Sequence, residues 1–210
     1  MLKFILFSGI TSLLICCNQQ EKKPSGQNHI IKTDTTISSS LPVSNYTIPD
    51  LSPMDMIYCP SDYPIKKMTG SITDAPLARI IYSRPQTQGR KIFGELVKYK
   101  QPWRLGANEA TELELFSEAS IQNKTIEPGR YIMYCIPDEN KWTIILNENL
   151  FSWGLKQDQQ KDFLRFEVPV EKTNISIQYF TMAFECSDQQ TNLLIFWDDI
   201  KTKIEIKFNP

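Results

Sequence analysis

Between Trp103 and Thr111 the chain reads Trp-Arg-Leu-Gly-Ala-Asn-Glu-Ala-Thr, a run rich in groups suited to recognition. Arg104 offers a planar fork of N–H donors that fits a carboxylate, a phosphate or paired sugar hydroxyls. Asn108 both donates and accepts, Trp103 gives a flat apolar face for a ring, and Glu109 and Thr111 add a carboxylate and a hydroxyl. The segment follows Tyr99 and Pro102 and leads into an alternating strand, so it lies at a strand mouth, where polar loop residues often carry function. The same residues admit a structural reading, with Arg104 and Glu109 as an internal ion pair and Asn108 stabilising a turn beside Gly106. Arg84 and Arg90, which bracket Pro85 and Gly89, either add positive charge to this site or are ordinary solvated arginines.

Catalytic alternatives are narrowed by what the chain lacks. Its only histidine is His29, in a polar stretch before the folded part, which removes imidazole-based nucleophile activation and most catalytic metal sites. No metal or cofactor is expected. Hydrolysis by paired carboxylates needs two acids at a fixed separation across a cleft; Glu109 with Glu112, or Asp74 with Glu95, are the conceivable pairs, although Glu112 and Glu114 read as the wet face of a strand. With 8 glycines there is no phosphate-binding glycine loop, and 23 basic against 24 acidic residues give no field that would draw nucleic acid. Trp142 and Trp197 fall within alternating strands and read as core, whereas Trp103 and Trp153 fall in loops where a sugar ring can stack. Three cysteines of the folded part, Cys59, Cys135 and Cys186, cannot all pair. Cys135 lies mid-strand and reads as a buried small hydrophobe, and a bridge from Cys186 to either of the others is open.

The elements that must position these residues are strands. Thr111 to Phe116 places Leu113 and Leu115 on one face and Glu112 and Glu114 on the other, the period-two pattern of a sheet with one wet side. Arg130 to Ile136 and Trp142 to Asn147 flank a short polar loop and predict an antiparallel hairpin. Alternating runs recur at Phe163 to Val170, Gln178 to Cys186, Leu193 to Trp197 and Lys203 to Phe208. With Ile72 and Ala78 to Ser83 added, about eight or nine strands are expected, enough for an antiparallel two-sheet β-sandwich, jelly-roll-like, over residues 50–210. Phe151 to Gln160 and Ile92 to Val97 read as minor helical or looped insertions.

Ahead of this domain, Lys3, an apolar run from Phe4 to Ile15 and then Cys16-Cys17 have the form of an export signal too short to span a bilayer. Leu14-Ile15-Cys16-Cys17 resembles the bacterial lipobox, which makes residues 1–16 a signal peptide and Cys17 the acceptor of diacylglycerol and palmitate. Several acyl chains hold a protein stably at a membrane. Residues 17–49, rich in Gln, Ser, Thr, Lys and Asn, read as a polar tether, and Asn18 after the cysteine favours the outer membrane by resemblance to lipoprotein sorting.

A family resemblance rests on separated motifs in order: Tyr82-Ser83-Arg84-Pro85, Gly89-Arg90-Lys91-Ile92-Phe93-Gly94, Trp103 to Thr111, Pro128-Gly129-Arg130-Tyr131, Trp142 to Asn147 and Trp153-Gly154. From Met68 to the end the chain resembles the domain of unknown function 2911 family, common in Bacteroidetes envelopes. The resemblance implies a β-rich, often lipid-anchored envelope domain and no particular catalysis. The expected function is therefore a non-catalytic module for a small polar ligand or glycan, with Arg84, Trp103, Arg104, Asn108, Glu109 and Thr111 as its ligand-binding residues. A carboxylate-dependent hydrolase of envelope polymers and a scaffold for other envelope proteins are the alternatives.

Overall fold

The structure, a computed structural model, describes residues 50–187 and 190–209. The expected signal peptide, the lipid site at Cys17, the tether and His29 lie outside the described residues.

Nine strands and one short helix follow in the order β1 (Met54–Cys59), α1 (Tyr63–Met68), β2 (Ala78–Ser83), β3 (Thr111–Leu115), β4 (Ala119–Ile121), β5 (Lys124–Ile126), β6 (Gly129–Pro137), β7 (Lys141–Asn147), β8 (Asp162–Cys186) and β9 (Thr191–Phe208). Every strand pairing is antiparallel, and the hydrogen-bonded order β1-β2-β3-β6-β7-β8-β9-β4-β5 is continuous and open. The all-β, sandwich-like architecture expected from the alternation is what forms.

Two strands do the work of layering. β8 pairs with β7 through Asp162–Pro169 and then with β9 from Val170 onward. Its register slips between Lys172 and Thr181, where most of the side chains are exposed, and irregular pairing of this kind lets one strand turn a corner between layers. Beyond the corner Phe180, Met182 and Phe184 return to the interior and meet β2: the Tyr82 hydroxyl accepts from Met182 N–H at 3.0 Å, and its ring meets Phe180 edge-on at 5.7 Å. Cys59, ending β1, is disulfide-bonded to Cys186, ending β8. Among the described residues Cys135 is the free thiol, fully buried, as its mid-strand position implies.

The core is a single cluster fed by alternate residues of every strand. Leu113 and Leu115 face inward while Glu112 and Glu114 lie outward, paired with Arg130 and Arg79. The β6–β7 hairpin forms in the expected place. The strands differ in detail from the alternation, and the insertion at Phe151 to Gln160 takes the looped form. Ile72 lies in no strand, because Ser71 to Pro76 runs as bends between α1 and β2. Met54–Cys59 is a strand although Met54 and Met56 are exposed, since it is an edge strand held by backbone pairing to β2. The runs Phe163 to Val170 and Gln178 to Cys186 are halves of one strand, and Leu193 to Trp197 with Lys203 to Phe208 are halves of another. Phe151 to Gln160 is loop, with a single 3-10 turn at Gln159–Lys161.

Candidate functional site

The segment Trp103 to Ala110 connects to the β3 strand mouth through a loop that is pinned from below. Ser83, fully buried at the end of β2, accepts the Ala107 N–H at 2.7 Å and donates to the Ala107 carbonyl. Thr111 is fully buried and donates to Leu105 O at 2.7 Å. Trp103 pairs its backbone with Cys135 in both directions, at 2.7 and 2.9 Å, and donates its indole N–H to Gly106 O at 3.1 Å. Its ring stacks on Trp197 at 5.6 Å and meets Phe93, Trp142 and Phe180. A Cβ at Gly106 would come within 3.0 Å of Ser83 O, so the loop lies against β2 only because glycine stands there.

These contacts sort the expected site residues. Trp103 and Thr111 belong to the interior, where ring stacking and a buried hydroxyl bond engage them. Asn108 takes a left-handed backbone (φ 55°) and donates to Asp50 and to Ser52 O, both at 3.2 Å, which fastens the loop to the start of the described chain. Arg84 spends its guanidinium on Phe180 O, Thr181 and Asp55, tying β2 to β8 and β1. Arg90 bonds the carbonyls of Thr87 and Gln86 in its own turn.

Arg104 and Glu109 remain, and they form no ion pair: among the described residues Arg104 has no carboxylate within 4 Å and donates no side-chain hydrogen bond. Its Nε is buried without a partner. Burial pushes the guanidinium below its usual range, and the charge of Glu109 only partly offsets this. A cation part-removed from water, with only the charge of Glu109 to offset the loss, keeps unused hydrogen-bonding capacity.

A second segment closes over this place. Residues 148–161 are stapled at their base by Asn147, which donates to Asp158 O at 2.8 Å, and by Asp162. The Asp162 carboxylate accepts from Tyr134 at 2.8 Å, Asn147 at 2.7 Å and Arg165 at 2.9 Å. Burial, with Asp162 beside it, raises the Tyr134 hydroxyl to about 12. The tip of the loop rests on the site: a Cβ at Gly154 (φ +83°) would lie 3.0 Å from Ala110 Cα and 3.1 Å from Arg104 Cβ. Trp153, next to Gly154 in the loop, is 57% exposed, and Phe151 and Leu155 are exposed as well. Ile132, Tyr134 and Ile145 are buried on the face of β6 and β7 that lies outside the main core cluster. Residue types in the Trp103–Thr111 run did not disclose this partner; Trp153-Gly154 in a loop was the available signal.

Of the conceivable carboxylate pairs, one member of each is held by a basic partner. Glu112 is bound by Arg130, and Glu95 lies 3.7 Å from Lys91. Among the described residues no group of three or more His, Cys, Asp or Glu is arranged to hold a metal, and no helix is long and apolar enough to cross a membrane.

Residues 64–206 match the model of a family described as Protein of unknown function (DUF2911). No curated protein and no solved structure matches the chain.

Proposed function

Because the chain belongs to the DUF2911 family of unknown function, we propose that it is a non-catalytic binding module, lipid-anchored at Cys17 in a Bacteroidetes-type cell envelope. It recognises a small polar ligand or glycan bearing a carboxylate or phosphate. The supporting observation is the guanidinium of Arg104, part-buried, with its Nε sealed and unpartnered and, among the described residues, no carboxylate within 4 Å. Arg104 receives the anionic group as a bidentate fork, Trp153 supplies the flat wall for a ring, and Glu109 accepts from a hydroxyl at the rim. The anchor is supported by the apolar run Phe4 to Ile15 before Cys16-Cys17.

The test is calorimetric titration of the purified chain with neutral and uronate-containing oligosaccharides and with inorganic phosphate. Binding of an acidic probe, lost by at least about tenfold in Arg104→Ala and weakened less in Arg104→Lys, is the expected result. Equal affinity in wild type and Arg104→Ala, with both folded, overturns the reading. In cells fed a fatty-acid analogue, labelling is expected in wild type and absent in Cys17→Ala.

A further inference from the structure

Large apolar side chains are exposed at several places on the surface, and singly they signify little. In the loop 148–161 they are not single. Along Phe151-Ser152-Trp153-Gly154-Leu155 exposure alternates: Phe151 is 93%, Trp153 57% and Leu155 66% exposed, whereas Gly154 is buried and Ser152 half-buried. Gly154 rests against Ala110 and Arg104, so the loop sits down on its small residue and leaves its large ones to solvent.

The chain enters the domain at the same place. Asn108 donates to Asp50 and to Ser52 O, both at 3.2 Å, which fixes the first described residues to the segment 103–110. Asn108 lies two residues from Ala110, at most about 7 Å of chain, and Ala110 is what Gly154 rests on. Leu51, between the two residues that Asn108 holds, is exposed as well. Four exposed apolar side chains, Leu51, Phe151, Trp153 and Leu155, therefore gather where the segment from Cys17 joins the folded part.

Two facts say what covers them. The loop carries Lys156 and Lys161 against Glu148 and Asp158, so it has no net charge with which to select a charged partner. Phe, Trp and Leu are instead the side chains that settle at the boundary between lipid headgroups and acyl chains. The chain from Cys17 to Asp50, even fully extended, is about 120 Å long. A domain held by lipid at Cys17 never leaves the neighbourhood of its own bilayer, and an apolar contact too weak to act alone becomes an intramolecular one.

We propose that the loop 148–161 is a second membrane contact, which inserts Phe151 and Leu155 at the acyl-chain boundary of the bilayer that carries Cys17. The proposal rests on the lipid-anchor reading. Trp153 stays at headgroup depth, where amphipathic rings collect. Two points of attachment in place of one fix the orientation of the domain and turn the segment 103–110 toward the headgroups.

The experiment places the lipidated chain in phosphatidylcholine vesicles whose acyl chains carry bromine either near the headgroup or near the bilayer centre. Trp103, Trp142 and Trp197 are packed on one another in the interior, so Trp153 is the tryptophan within reach of a lipid quencher, and Trp153→Phe identifies its emission. For the wild type, a blue shift and quenching are expected, stronger from the shallow bromines and persisting at about 1 M salt. Phe151→Ser with Leu155→Ser is expected to lose both signals, and Phe151→Leu with Leu155→Phe to keep them. Both side chains are exposed, so the β6–β7 hairpin amides should stay protected from exchange in either variant. Flotation with the vesicles reads the anchor separately. If the chain floats but Trp153 is unquenched, is quenched equally in the serine variant, or is quenched only in anionic vesicles, the loop contact is overturned and the anchor stands. If the chain does not float, the anchor fails and the contact with it. A dimer in vesicle-free solution that the serine variant dissolves gives the patch to a second copy and also overturns the proposal.

Discussion

Tyr82 and Tyr134 are both fully buried at opposite faces of the same sheet, and each hydroxyl is raised to about 12, chiefly by burial. In the unfolded chain a tyrosine loses its proton near 10. Between those values the unfolded state binds fewer protons than the native state, so stability falls as pH rises. The contribution of these two groups is complete below about pH 10 and is lost on passing about pH 12. In an ultraviolet titration of the 8 tyrosines, Tyr82 and Tyr134 are expected to ionise last, together with unfolding, and Tyr134→Phe to remove one of the late protons. Loss of both late protons with the fold still intact contradicts the assignment. The residue scale also shows where reading types alone falls short. Trp103, Asn108 and Thr111 have the chemistry of a ligand site, yet their neighbours in space, Trp197, Asp50 and Leu105 O, consume it. Arg104 and Glu109 look no different in the sequence and are left unconsumed.

Strand placement was legible wherever one face of the sheet is wet, as in Thr111 to Phe116 and Lys203 to Phe208, because alternation there is uninterrupted. It was illegible at β1, whose exposed methionines hide its pairing, and at the corners of β8 and β9, where register slips break the period within one continuous strand. The loop 148–161 gave only Trp153-Gly154 as a sign, since its role depends on what it rests upon. Gly154→Ala tests that role. The new methyl meets Ala110 and Arg104 at about 3 Å in a left-handed backbone, which costs about 1–3 kcal/mol. The loss is expected locally: faster proteolysis within 148–161 and weaker binding of the acidic probe. The β6–β7 hairpin amides should stay protected from exchange. Unchanged proteolysis and binding would show that the loop does not seat on Arg104.

Across the whole molecule the sequence left the cysteine partner open, and the fold decides it by bringing Cys59 and Cys186 together over 127 positions of chain. Closing a loop of that size restricts the unfolded ensemble by about 4–5 kcal/mol. Reduction, or Cys59→Ser with Cys186→Ser, is expected to lower the urea midpoint without changing the binding of the acidic probe. Cys135, buried and with its thiol pushed up by burial, should stay unreactive until the protein unfolds. A midpoint indifferent to reductant contradicts the bridge. The bridge has a mechanical corollary. When the two ends of the chain are drawn apart, the covalent route runs from Cys59 directly to Cys186 and bypasses everything enclosed. Only the six residues of β1 and the length of β9 can be peeled by tension, while some 450 Å of contour, at about 3.6 Å per residue, stays slack and unloaded until a reductant cuts the shortcut.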